Sequence, residues 1–465
     1  MSLDAVLLSR IQFFWVIALH ILLPAFTVGL ASYIAVLEGA YLVTRRAAYL
    51  TLSAFWLKAF AVSFGMGVVS GIVMPFQFGT NWSAFSDATA DIIGSPMAYE
   101  GLTAFFLEAG FLGVLLFGRS RVPPSVHFLA SLMVALGTLL STFWILAVNS
   151  WMQTPAGFTV VDGRFLPEDW FAVIFNPSFP YRLAHTVVAF YITTALVVAG
   201  VAAYHLRAGR YLEEGGIMLK QAFGLLTLLV PLQVAIGDMH GLNTLEHQPA
   251  KIAAMEANWE TQKRMPLLLF ALPDEKAETN RVEIGIPEVG SLILRHDIDG
   301  VVRGLKDFPA ADRPPVAIPF FAFRAMVGIG LAIFALVIGS WWVWRRGGFA
   351  RARGFLKLCE LASPLGFVAV LAGWITTEVG RQPWIVYGLM RTRDAVTPSL
   401  SGGDVLVSLL TYVLVYLVIF GSGVYFLGRL VSAGPAAVRE HPDQGRAARP
   451  LSAVDQAARS PPSAD

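Results

Sequence analysis

The sequence predicts an all-α, polytopic membrane helix bundle of about nine transmembrane helices, and three observations predict it. Hydrophobic residues make up 56% of the chain and charged residues only 14%, a balance far from that of soluble domains. The mean hydropathy is +0.62. Apolar runs near the roughly 20 residues that a span requires recur along almost the whole length. A soluble protein of this composition could not cover its surface with polar groups; a bilayer removes the need.

The spans follow in order. The first covers residues 13–37; its apolar run is too long for a signal peptide and lacks a convincing cleavage site, so it reads as a retained helix. The next four are 51–74, 97–117, 126–148 and 183–204. The sixth, 221–236, is short and interrupted by Pro231, which predicts a distorted far end. The last three are 318–344, 358–377 and 405–427. Arg45, Arg46, Arg119, Arg121, Arg207, Arg210, Arg345, Arg346, Arg351 and Arg353 follow spans one, three, five and seven. The alternate links 81–96 and 153–181 are poor in positive charge, while 380–403 is an exception with Arg381, Arg391 and Arg393. The bias places the N-terminus outside and the C-terminus in the cytoplasm.

Four regions result: helices one to six in 1–237, a long polar outer loop in 238–317, helices seven to nine in 318–432, and a disordered cytoplasmic tail in 433–465 rich in Ala, Pro, Ser and charge. Loops as long as 238–317 are usually functional or disordered. Within it, 249–264 reads as a helix with Ile252, Met255 and Trp259 on one stripe.

Charge and cysteine content exclude several functions. The formal net charge is +2 with no basic stripe, which argues against a nucleic-acid partner. One cysteine, Cys359, allows neither an internal disulfide, a thiolate-held iron–sulfur cluster nor c-type haem attachment. A metal would have to rest on His, Met or carboxylates.

Polar side chains inside spans are costly and mark ligands, partners or pathways. Of eight histidines, only His20 and His185 fall clearly within apolar runs. His185 opens span five, where a backbone-bonded interfacial histidine and an axial haem ligand fit equally. Met326, at similar depth in span seven, is a candidate thioether opposite it, although a Met in an apolar helix usually only packs. His20, from position alone, reads first as a satisfied core histidine. Glu100 and Glu108 share span three, about 80° apart around a regular helix and roughly 12 Å along it, which suits a two-station proton route or a pair of neutral carboxyls. Glu378 precedes Arg381 by three residues, as an ion pair or as a carboxylate ligand whose arginine neutralises a haem propionate. Gly67 and Gly71 form a G-x-x-x-G pair that permits close approach.

The runs "MPFQFGTNWS", "YEGLTAFFLEAGFLG", "STFWILAVNSWMQTPAG", "FRAMVG" and "GWITTEVGRQPW" together resemble subunit I of cytochrome bd-type quinol:oxygen oxidoreductases, over about 10–430. The first run resembles the cyanide-insensitive branch. The resemblance implies His185 and Met326 as axial ligands of a low-spin haem b, with Arg324 nearby. It implies His20 and Glu378 at two adjacent high-spin haems, a haem b and a haem d (or a third haem b), with Trp374 and Arg381 beside them. Glu100 and Glu108 become proton-path and haem-proximal carboxylates. The outer loop becomes a short quinol-binding loop with Lys251 and Glu256 as quinol contacts, although about 140° separates them on a regular helix. It further implies oxidation of quinol at the outer face, reduction of O2 to water with cytoplasmic protons, a second membrane subunit and a small single-helix accessory subunit, all in the bacterial inner membrane. From a different class, a secondary transporter would use the intramembrane carboxylates, but the inverted repeats it calls for are not seen. A haem–copper oxidase would need more intramembrane histidines than two.

Overall fold

The computed structural model describes residues 4–349 and 352–435, and among them nine helices are long and apolar enough to cross a membrane. The expected tail lies, beyond Pro435, outside the described residues. The first span is built from α1 (Ala5–Leu22) and α2 (Pro24–Thr44). Asp4 caps α1 by accepting from the Val6 and Leu7 amides. The joint falls at Pro24, which has no N–H to donate, so the turn tightens and the Leu23 amide bonds the His20 carbonyl.

The second span is α3 (Ala47–Thr80). The third comprises α4 (Ser83–Tyr99), a π-helical turn over Glu100–Phe105, and α5 (Phe106–Phe117). The link expected over 81–96 is therefore mostly helix. Its polar Ser, Thr and Asp residues hid an apolar stripe of Phe85, Ile92 and Ile93, which is buried. The fourth span is α6 (Pro124–Gln153), followed by the hairpin of β1 (Phe158–Val161) and β2 (Arg164–Pro167) and by α7 (Trp170–Ile174). The fifth and sixth are α8 (Phe179–Arg207) and α9 (Leu212–His247). Pro231 neither ends nor breaks α9, which corrects the short sixth span and moves the start of the polar loop to Gln248; a spanning helix packed on neighbours tolerates an internal proline.

The segment between α9 and the seventh span is folded. It carries α10 (Pro249–Met255), the antiparallel hairpin of β3 (Leu267–Asp274) and β4 (Thr279–Ile286), and α11 (Val289–Arg295). The helix expected over 249–264 stops at Met255 because the chain turns at Ala257, whose φ is 50°. Ile252 and Met255 pack with Met265 and Leu294, while Trp259 packs with Leu268 and Phe320, so the three do not share a stripe. The remaining spans are α12 (Ala317–Arg345), the pair α13 (Arg353–Ala362) and α14 (Leu365–Val379), and α15 (Gly402–Ala433). A short hairpin of β5 (Trp384–Val386) and β6 (Met390–Arg391) precedes α15, which a Ser401–Asp404 capping box starts.

The main apolar cluster forms where α2, α3, α8 and α9 meet, with Leu30, Trp56, Phe60, Leu196 and Leu226 almost fully buried. The outward faces of α12 and α15 stay apolar, as Leu331, Leu414 and Val418 show. In water those faces would be a liability; in lipid they are the matching surface.

Candidate functional site

The C-terminal ends of α6, α9 and α14 and the N-terminal ends of α8 and α12 converge beneath the folded segment 248–316, and most of the predicted site residues lie there. Glu378, in the last turn of α14, accepts from Asn149 Nδ2 at 3.1 Å, Gln153 Nε2 at 3.3 Å and the Arg381 guanidinium at 2.5 Å. Arg182 of α8 donates to Ser150 Oγ at 3.2 Å and to the Asn149 side-chain oxygen. Lys251 of α10 donates to Gln153 Oε1 at 2.7 Å, and Gln248 donates to the same oxygen at 3.1 Å. The Glu378–Arg381 ion pair anticipated from spacing is therefore present, inside a larger network.

This network is buried and positively biased. Lys251 and Arg381 are 4% and 5% exposed. Burial, then the nearby Arg182 and Arg381 guanidiniums, push the Lys251 ammonium well below the usual lysine value, and Glu378 only partly restores it. Burial likewise lowers Arg381, against the support of Glu378. Arg381 Nε and Nη1 are buried and have no hydrogen-bond partner, so two donors point at a place where an anion would satisfy them.

Of the expected ligand residues, Glu378 belongs to this network and His185 lies beside it, while Met326 and His20 lie against glycines of α14 and α3. His185 follows Arg182 by one turn of α8; its Nδ1 is buried without a partner. Its ring faces Gly237 of α9, where a Cβ would stand 3.5 Å from Cε1, and lies 5.5 Å from the ring of His240. The Met326 sulfur rests on Gly373 of α14, where a Cβ would come within 2.8 Å. Trp374, the next residue, packs its ring 5.7 Å from that of Phe14 on α1. His20 approaches Gly71, where a Cβ would be 3.3 Å from its ring, and Leu23 lies over Gly67; the G-x-x-x-G pair receives α1. His20 Nδ1 bonds Ser70 Oγ at 2.8 Å, while the Ser70 hydroxyl is also within reach of the Met66 and Gly67 carbonyls. When the single Ser70 proton goes to a carbonyl, the imidazole must donate through Nδ1. Nε2 then carries the free lone pair, the usual orientation device for a metal-binding histidine.

Lys251 and Glu256 do not meet. Lys251 reaches into the Gln153–Glu378 network, whereas Glu256 pairs with Arg324 of α12 at 2.6 Å. Arg324 also donates to the Met255 and Leu268 carbonyls at 2.6 and 2.9 Å and lies 4.3 Å from the Phe320 ring. It ties the folded segment to α12, since Glu256, Met255 and Leu268 all belong to that segment.

Glu100 and Glu108 both face α6. Glu100 accepts from Ser141 Oγ at 2.8 Å. Glu108 lies against Gly137, where a Cβ would come 2.6 Å from its Cγ. Ser141 and Gly137 are one turn apart, so the two carboxyls share a side. The π turn between them is the cause: a bulge absorbs one residue, and seven residues of effective separation leave only about 20° between them instead of about 80°.

Among the described residues no three His, Cys, Asp or Glu side chains converge to cage a bare ion. A porphyrin brings four nitrogens of its own and needs one or two ligands from the chain, which is what His185, Met326, His20 and Glu378 could offer. The partnerless His185 nitrogen and Arg381 donors fit such a group. Sequence reasoning did not single out Arg182, Asn149, Gln153 or His240. Asn149 and Gln153 lie in a quoted motif without a role of their own, and Arg182 carried a signal in its spacing of three from His185. At the opposite end of the bundle, buried Glu38 accepts from Arg119 and Ser53 and lies 3.3 Å from His127.

Comparison with known proteins adds four findings. The family model of cytochrome bd terminal oxidase subunit I matches residues 8–435. The chain is 35% identical to cytochrome bd ubiquinol oxidase subunit 1 of Bacillus subtilis, over 93% of this chain and 94% of that one. It is 31% identical to cytochrome bd-II ubiquinol oxidase subunit 1 of Escherichia coli, over 95% and 99%. The structure of bd oxidase from Geobacillus thermodenitrificans superposes with a TM-score of 0.86 at 31% identity, over 93% of this chain and 100% of that one.

Proposed function

The chain belongs to the cytochrome bd terminal oxidase subunit I family, and on that premise we propose how its residues divide the work of a quinol oxidase. Family membership makes it a haem-dependent, multi-pass bacterial membrane protein that serves electron transport, and sets aside the transporter reading. Within that frame, His185 and Met326 hold a low-spin haem b. His20 and Glu378 serve two high-spin haems, one b and one either d or a third b. Bound haem supplies one-electron transfer and the reduction of O2 to water.

The remaining roles fall to the chain itself. Segment 248–316 binds quinol, with Lys251 and Glu256 as separate contacts. Its cover over the buried network keeps water from Glu378 and Arg381. Arg381, whose Nε and Nη1 are without partners, would offer both donors to a haem carboxylate. Trp374 packs α14 against α1 beside the same site. Glu100 and Glu108 carry protons along α6, which both of them face. The arginine bias of the links places the N-terminus and the quinol segment outside and the opposite end in the cytoplasm, so quinol protons leave outside and protons for water come from within. A second membrane subunit, matching the "subunit 1" of the relatives' names, and a small accessory helix would cover the apolar outer faces.

The observation that carries this reading is the His185 imidazole nitrogen, buried without a protein partner one turn from Arg182 and beside His240. The test is a dithionite-reduced minus air-oxidised spectrum of the purified oxidase. His185→Ala and Met326→Ala should each remove the low-spin haem signal while the protein stays inserted. Unchanged bands in both variants would remove these two ligands from the account.

A further inference from the structure

We propose that Gln153 is a positioning residue that fixes Lys251 and Glu378 with a single amide, joining the quinol-binding segment to a haem-side carboxylate; this rests on the functional reading above. The side chain lies at the last residue of α6 and is 2% exposed. Its oxygen accepts from Lys251 Nζ at 2.7 Å and from Gln248 Nε2 at 3.1 Å, and its NH2 donates to Glu378 Oε1 at 3.3 Å. The backbone carbonyl of Gln153 also accepts from Gln248 at 2.6 Å, which anchors the start of α10 onto the end of α6.

The chemistry demands this residue type. An ammonium on one side needs an acceptor, and a carboxylate on the other needs a donor. A neutral amide of this length presents both at once. Glutamate would satisfy Lys251 but set a second carboxylate beside Glu378. Leucine would leave a buried cation and a buried anion each short of a partner, which is costly. The Arg182 and Arg381 guanidiniums disfavour the Lys251 ammonium, and Glu378, the carboxylate that Gln153 bridges to, favours it. A displacement of Lys251 by quinol reaches Glu378 through the Gln153 amide, beside the packing of the Lys251 stem on Gly380.

The test uses the haem-loaded oxidase complex in detergent. Q153L should raise the quinol KM by about tenfold, the scale of one lost bond to a charged group, and shift the absorption of the haem beside Glu378. The bands of the His185–Met326 haem should stay in place. K251M added to Q153L should raise KM no further, because the contact is already gone. Q153E should keep KM within about threefold of the parent, yet lower the midpoint potential of the haem beside Glu378, since added negative charge favours ferric iron. A wild-type KM and unmoved spectrum in Q153L would overturn the proposal. So would equal damage by Q153L and Q153E in both readouts, which is what mere packing predicts. Failure of the underlying reading would show earlier, as a parent complex without haem bands or quinol-dependent oxygen uptake.

Discussion

Glu100 and Glu108 meet α6 one turn apart, at Ser141 and Gly137, because a π turn between them removes the rotation that eight residues of regular helix would impose. The two carboxyls thus form one line against α6 instead of two separate faces. Gly137→Ala tests that line. The added methyl must displace the Glu108 side chain, at a cost of about 1–3 kcal/mol in stability. Oxygen-reduction turnover should fall by about tenfold or more if Glu108 handles protons, with quinol KM little changed. Glu108→Gln should show the same split without the packing cost.

Gly373→Ala probes the Met326 thioether. A Cβ there would stand 2.8 Å from the sulfur, and the flexible Met side chain must swing away. The expected outcome is loss or broadening of the low-spin haem band in the reduced spectrum, as in Met326→Ala, with the high-spin bands retained.

Much of this was legible in the sequence, and the parts that were not have identifiable reasons. All nine spans were found, because long apolar runs dominate the composition. From position alone His185 read equally as an interfacial histidine or a ligand, His20 as a core histidine, Met326 as packing and Glu378 as an ion pair or a ligand; the resemblance supplied the ligand roles. Gln153 and Asn149 did not stand out, since a neutral amide at a helix end raises no alarm until its neighbours are known. His240 was placed in the polar loop because the apolar run of the sixth span stops at residue 236; α9 runs on to His247, and the ring lies 5.5 Å from that of His185. The π turn left no mark in composition, so the angular relation of Glu100 to Glu108 was misjudged by a quarter-turn or less. Arg324 was expected beside a haem on resemblance, while its bonds go to Glu256 and two carbonyls of the segment 248–316.

Arg324 should be hard to replace. It spreads three bonds over Glu256, Met255 and Leu268 in a partly buried setting. Arg324→Ala leaves the Glu256 carboxylate buried without its cation and should cost about 3 kcal/mol, read as a fall in the thermal unfolding midpoint. Arg324→Lys should recover only part of it, because one ammonium cannot span the three acceptors.

Lys251 gives a pH dependence whose sign is fixed. Its folded value lies well below the unfolded one, so the unfolded chain binds the extra proton between the two. Stability therefore rises as pH climbs through that window towards the ordinary lysine value near 10.4. Below the window the full cost of burying the ammonium is present. Thermal unfolding of the wild type and Lys251→Met across neutral to alkaline pH should show the variant gaining most at the low end, with the gap closing as pH rises. A constant gap would contradict the lowered value.

The central claim is that this bundle carries iron porphyrin on its own side chains, and a pyridine haemochrome spectrum of the purified complex, prepared from iron-replete cells, tests it most directly. The account predicts haem b in every preparation, with type d or a third b completing the set, and loss of one b equivalent in His185→Ala. Colourless protein with intact helical content would contradict it.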